Sequence, residues 1–195
     1  MRDEFLLYIS AASDLDALRD QLARAVTEIP VTLNWRIVQS PLTDQPLDFG
    51  AIRSADLHIL ILGGDIRAPI GLEWLVARQV GKTPQLFLQE DAHRTQAAGD
   101  FVRHVELQAR WQAFVSPSEV RRHMLRSISE RLLHRSNRYR LHSAEIEALT
   151  TWLPTLDEQT TESASSNPIA NTNSIILSVE RFTPSGGVLL KEPTK

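Results

Sequence analysis

The residues able to do chemistry gather in one stretch of the chain. Residues 55–90 begin Ala55-Asp56-Leu57-His58-Ile59-Leu60-Ile61-Leu62 and break at Gly63-Gly64-Asp65. After Pro69 come Gly71, Glu73 and Trp74, then Gly81-Lys82-Thr83-Pro84 and a second apolar run. Paired glycines let a ligand approach the backbone closely. A glutamate in the first turn or two of a helix is favoured in its ionised form by the helix dipole. An ionised carboxylate facing a pocket can stabilise an oxocarbenium-like centre or attack it, which is the chemistry of glycosidic cleavage. Acids near helix starts are also common simply because they stabilise the helix. Position and charge alone therefore leave Glu73 between a catalytic and a structural role.

The surrounding elements must position these residues. Phe5–Ser10 is a continuous apolar run and reads as a central strand covered on both faces. Ser13 suits a helix N-cap, with Leu15, Leu18, Leu22, Ala25 or Val26, and Ile29 stepping by threes and fours toward Pro30. Leu33–Val38, Leu57–Leu62, Gln85–Leu88 and Trp111–Val115 read as further strands. Between them, Gln39–Gly50 is a loop, and a short helix or turn covers Phe49–Arg53. The next helix runs from about Ile70 to Val80, with Pro69 at its first position and Gly81 as its C-terminal cap. Leu72, Leu75, Val76 and Val80 are its expected buried stripe. A weak helix spans Thr95–Leu107. Stronger ones cover Pro117–His134, with Val120, Met124, Ile128 and Leu132 on one face, and Ala144–Leu153.

Strands alternating with helices imply a parallel sheet covered on both faces. Right-handed crossovers leave few topologies. The simplest is an α/β, flavodoxin-like three-layer domain with five strands in the order 2-1-3-4-5. Its ligand crevice lies at the switch between strands one and three. That crevice would collect Ser10, Ser13, Gly63, Gly64, Asp65 and Glu73. The domain is expected over residues 1–153. Residues 154–173 are rich in Ser, Thr, Asn, Gln and Glu and read as a flexible linker. Residues 174–195 hold two β-prone runs around Pro184-Ser185-Gly186-Gly187, the signature of a β-hairpin tail.

Other chemistries are set aside. The chain has 195 residues, a net charge of −3 and no cysteine. That excludes thiolate metal sites and cysteine nucleophiles, and no global charge draws it to nucleic acid or membrane. Its six histidines show no His-x-x-x-His pair, so no metal site is expected. His58 reads as a satisfied core residue. Gly81-Lys82-Thr83 closes a helix where a P-loop would open one. Arg121, Arg122, Arg126, Arg131, Arg135, Arg138 and Arg140 crowd one helix and its exit, and read as a solvated face rather than a phosphate surface. Trp74 and Trp111 read first as core, although Trp74 beside Glu73 could line the pocket. No apolar run approaches the roughly 18 residues of a membrane span, and Met1-Arg2-Asp3-Glu4 is not expected to open a signal peptide. A cytoplasmic location is the expectation.

On these elements lies a family pattern. It consists of Ile9-Ser10, Ser13-Asp14-Leu15, Ala55-Asp56-Leu57 before an apolar strand and Gly63, and Gly71-x-Glu73-Trp74-x-x-Ala77-x-x-x-Gly81-Lys82-x-Pro84. It resembles the TIR-like (Toll/interleukin-1 receptor-like) domains of bacterial conflict and signalling proteins, over about residues 4–135. It is also similar to the nucleoside 2-deoxyribosyltransferase group. The resemblance implies a flavodoxin-like fold in which Glu73 acts at an N-glycosidic bond. Ser10, Ser13, Gly63, Gly64, Asp65 and Trp74 would bind the substrate, and NAD would be a substrate, with no bound cofactor. Three positions depart from the family pattern: Ala11, the loop Gln39–Pro46, and Trp74 directly after the glutamate. The expectation is a signalling or defence module that binds and cleaves an NAD-type nucleotide. It would work as a homo-oligomer or with a partner protein, without membrane or nucleic acid. The alternatives are a non-catalytic interaction and oligomerisation module, and a nucleoside deoxyribosyltransferase or hydrolase.

Overall fold

The structure is a computed structural model and describes residues 4–41 and 45–165. Five strands, β1 (Glu4–Ala11), β2 (Asn34–Ser40), β3 (Leu57–Leu62), β4 (Gln85–Gln89) and β5 (Gln112–Phe114), pair in the order β2-β1-β3-β4-β5. Every pairing is parallel. This is the flavodoxin-like α/β arrangement expected from the alternation. The helices are α1 (Asp16–Ala25), α2 (Phe49–Ser54), α3 (Ala68–Gln79), α4 (Gln96–Glu106), α5 (Pro117–His134), α6 (Ser136–Tyr139) and α7 (Ser143–Ser165).

The pleat of β1 divides the core. Phe5, Leu7, Ile9 and Ala11 point to one face, where they meet Leu18 and Leu22 of α1, Val120, Met124 and Ile128 of α5, and Leu149 and Leu156 of α7. Leu6 and Tyr8 point to the other face, against Ala51 and Ile52 of α2 and Val76 and Ala77 of α3. On that same face Leu60, Leu62 and Leu86 pack with Trp74 of α3 and Val102 and Val105 of α4. Both faces of β1 and β3 are therefore dry, which is why their sequences are continuous apolar runs rather than alternating ones.

Four local expectations are corrected. Ser13 does not cap a helix through its side chain; it opens a short 3₁₀ turn, Ser13–Leu15, and is exposed. Strand β2 runs two residues past Val38 and so carries Ser40 to the edge of the crevice. Helix α3 is turned about its axis from the expected stripe. Ile70, Glu73, Trp74, Val76 and Ala77 are buried, while Leu72, Leu75 and Val80 are exposed. The inward side carries Trp74, packed on Leu60 and Leu62, and Glu73, whose partners on β1 and β2 are described below. Finally, α7 does not stop at Leu153 but continues through Pro154 to Ser165, so the start of the expected linker is helical. The apolar spacing explains this, since Leu149 and Leu156 lie two turns apart and both are buried in the core. The remainder of the linker and the tail hairpin fall outside the described residues.

Candidate functional site

Glu73 sits on the sixth residue of α3, which has no acid in its first turn. The helix dipole fades beyond that turn, so it is not what sets the state of this carboxyl. Burial is. Glu73 is 0% exposed. Desolvation raises its pKa above the ordinary carboxylate value, against the opposing pull of Ser10, Ser40, Tyr8 and the charge of Arg19.

The carboxyl is held on one side. The Tyr8 hydroxyl donates to Oε1 at 3.0 Å, and the Ser40 hydroxyl donates to the same oxygen. The other oxygen, Oε2, is buried without a hydrogen-bond partner. Tyr8 and Ser10 alternate along β1 and share a face; Ser40 lies level with Ser10 across the β1–β2 pairing. His58 of β3 lies level with Tyr8. Its ring meets the Tyr8 ring edge-on at 4.9 Å, and its Nε2 lies 2.9 Å from the Ser10 hydroxyl. Burial, reinforced by the Lys82 charge, lowers the His58 pKa to about 3, so the ring is neutral. Burial likewise raises the Tyr8 phenol, helped by the adjacent Glu73 charge, so it stays a donor.

Arg19 comes up from α1. It is 5% exposed, bridges to Asp16 at 3.0 Å and donates to the Pro41 carbonyl at 3.2 Å. A cavity of about 350 Å³ opens beside this cluster, lined in part by Tyr8, Ser40, Gln45, Pro46 and Asp48. It touches two of the hydroxyls that hold Glu73, while the carboxyl itself lies one layer deeper. Chemically, the arrangement offers a carboxyl with one oxygen fixed by two hydroxyls and the other buried without a partner. Burial shifts its pKa upward, the direction that favours a carboxyl able to exchange a proton.

The expected site residues do not gather in one place. Ser10 joins Glu73. Gly63, Gly64 and Asp65 belong to a separate loop junction. The Gly64 N–H donates to Asp14 at 2.8 Å, the Gly64 carbonyl accepts from the Thr95 N–H at 2.8 Å, and Asp65 accepts from the Thr95 hydroxyl at 2.9 Å. A Cβ on Gly63 would lie 2.6 Å from Asp14 Oδ2, and one on Gly64 would lie 2.8 Å from the His93 carbonyl oxygen. The two glycines thus admit the protein's own neighbouring loops. Ser13 is exposed on the turn before α1. Trp74 is 1% exposed and packs with Leu60, Leu62 and Ile70, on the core side of α3.

Sequence reasoning passed over Tyr8, Arg19 and Ser40, and took His58 for a satisfied core residue. His58 is only half satisfied, because its Nδ1 is buried without a partner. One signal was available. Tyr8, Ser10 and His58 are the polar side chains inside the two most apolar strands, and buried polar groups need partners. Among the described residues, no group of three or more His, Asp or Glu side chains is placed to hold a metal ion. No helix among them is long and apolar enough to cross a membrane.

No family model matches the chain, and no curated protein matches it. Among solved structures, the chain is similar to the crystal structure of the RPS4 and RRS1 TIR domain heterodimer. The match has 15% sequence identity and a TM-score of 0.47, and covers 66% of this chain and 98% of that one. At that identity and TM-score nothing about activity transfers to this chain.

Proposed function

We propose that this chain is a TIR-like signalling or defence module that binds a nucleotide of the NAD type and cleaves its N-glycosidic bond with Glu73. One observation carries the reading: a wholly buried glutamate with Oε1 fixed by two hydroxyls and Oε2 left unpartnered. Such a group is costly to bury for structure alone. It is suited to stabilising or attacking the cationic sugar carbon that forms as the base departs. The substrate would enter through the cavity at Tyr8 and Ser40, displacing the Ser40 hydroxyl from the carboxyl as it settles. Ser10 and His58 would keep the carboxyl oriented during the reaction.

A second reading has its own observation. The outer side of α3 exposes Leu72 (43%) and Leu75 (48%), and Val80 (41%) follows at its C-terminal end. Apolar residues grouped on one helix face fit an interaction and assembly module.

One experiment separates the two. The full chain is incubated at low and high concentration with NAD and a panel of nucleosides, and free base is measured by chromatography. The expected result is base release that Glu73→Gln reduces at least a hundredfold while the Tm stays within about 5 °C. Release from NAD supports the leading reading. Release from deoxynucleosides alone would make the chain a nucleoside transferase or hydrolase. Absence of release at every concentration, with elution that shifts as concentration rises, would favour the assembly module.

A further inference from the structure

A second polar cavity, of about 490 Å³, opens at the N-terminal ends of β3 and β4. This is the opposite edge of the sheet from Ser10 and Ser40. It lies between the Ala55–Asp56 turn, the Gly81–Thr83 turn and the end of α5 with α6. Its charged lining is Lys82, Arg131, Arg135 and Arg138 against one carboxylate, Asp56.

That carboxylate is already engaged. Asp56 Oδ1 pairs with Arg138 at 2.8 Å, and Oδ2 accepts the Leu6 N–H at 2.9 Å. The Lys82 ammonium ends on the Ala55 carbonyl. The Arg131 guanidinium ends on the Asp56 carbonyl at 2.6 Å. Among the described residues Lys82, Arg131 and Arg135 form no ion pair. Elsewhere on α5 the chain does neutralise its arginines, since Arg121 pairs with Glu28 and Arg126 with Glu130 and Asp157. The charge excess is therefore local to the cavity. Basic residues are welcome at a helix C-terminus, but Lys82 comes from a different element and faces the same space.

A further observation is independent of that charge. His58 lines this cavity, is 4% exposed, and has an Nδ1 without a partner. With its proton on Nδ1, the neutral ring has one donor to spare while Nε2 accepts from Ser10.

We infer that this cavity binds a small phosphate-bearing anion of the di- or triphosphate type. Three cations without a carboxylate match the charge of such a group, and the volume falls within the roughly 300–1,000 Å³ of ligand pockets. An adjoining hollow of about 390 Å³ shares Arg131 and Arg135 and adds Gln85, Ser127 and His134. It has room for an organic part carried by the phosphates. The cations converge on a concavity rather than run along a face, which favours a small ligand over a nucleic-acid duplex. Burial, together with Arg131, Arg138 and Arg135, lowers the Lys82 pKa although Asp56 opposes it. A bound anion relieves that repulsion.

The test is calorimetric titration of the full chain at low salt with tripolyphosphate, ATP and adenosine. Saturable binding of tripolyphosphate and ATP, and none of adenosine, is expected. Arg135→Gln, which removes an exposed side chain with no ion pair, should weaken binding about tenfold. Arg131→Gln should do at least as much. Arg103→Gln on α4, outside the cavity, and Glu73→Gln should leave affinity unchanged; Tm values confirm that each variant is folded. Tighter binding of ATP than of tripolyphosphate would place the nucleoside in the adjoining hollow. Equal binding would mean that the phosphates alone are read. Three outcomes overturn the site: no binding of either anion, equal weakening by Arg103→Gln, or loss of binding in Glu73→Gln. The Glu73 arm also keeps this site distinct from the proposed glycosidic one, so either can fail without the other.

Discussion

Burial disfavours the charged form of both Glu73 and His58, and so pushes their pKa values in opposite directions. Their contributions to stability against pH therefore slope oppositely. Glu73 has a raised folded pKa. Its contribution is complete below about pH 4.5 and is lost as pH rises through the folded value. His58 has a lowered folded pKa, about 3 against a usual 6.5. Between those values the unfolded chain takes up a proton that the folded ring refuses. Stability is complete above pH 6.5 and falls, as pH drops, by about 1.4 kcal/mol per unit. Urea unfolding of the wild type and of His58→Gln at pH 6.5 and 4.5 isolates this ring, because every other titration is common to both proteins. The wild type should lose about 2–3 kcal/mol more than the variant over that interval. An equal loss would mean that the ring titrates normally, and the neutral His58 of both proposed sites would have to be abandoned.

At the scale of elements, the strands were legible and the glutamate's surroundings were not. The apolar runs at Phe5–Ser10 and Leu57–Leu62 carry their own assignment, because a doubly covered strand needs nothing else to identify it. Helix α3 is different. Leu72, Leu75 and Val80 are as apolar as Ile70, Val76 and Ala77, so hydrophobicity does not choose a face. Trp74 turns inward onto Leu60 and Leu62, and it carries Glu73 toward Tyr8 and Ser40, which lie far away in sequence and come together only through the β1–β2 register. A pairing register is a non-local fact that no window of residues contains. The glycines show the same limit, since Gly63 and Gly64 signalled close approach correctly but could not say what approaches. The structure answers with Asp14 and His93, and a contrast follows from it. In Gly64→Ala the new methyl would meet a backbone carbonyl oxygen at 2.8 Å, and a cost of about 1–3 kcal/mol is expected. In Gly71→Ala the methyl meets nothing within 4 Å. This glycine lies inside α3, so a gain of about 0.5–1 kcal/mol is expected. Thermal unfolding of the two variants should move in opposite directions. A neutral Gly64→Ala would show that the His93 loop yields without cost.

At the scale of the whole molecule, the question is where the folded unit ends. Composition places a boundary at Pro154, because a proline inside a helix removes a hydrogen bond and the residues beyond it turn polar. The core places it later. Leu156 is 2% exposed and belongs to the same cluster as Leu149, Met124 and Phe5. Asp157 receives the guanidinium of Arg126 at 2.7 Å. That exposed pair contributes little, so the effect of cutting here rests on Leu156. Removing a buried leucine costs about 2–5 kcal/mol. In a protein of this size each kcal/mol moves the Tm by about 2–4 °C. A chain ending at Leu153 should therefore unfold roughly 5–15 °C below one ending at Ser165, and Leu156→Ala in the longer chain should reproduce most of that loss. If the chain ending at Leu153 matched the longer one while Leu156→Ala remained costly, the loss in the substitution would come from a cavity that truncation lets the core close. The folded unit would then end at the proline after all. If instead both changes destabilise, the fourth turn of α7 is part of the domain, and the face of α5 that it covers is closed to partners in any assembly the chain forms.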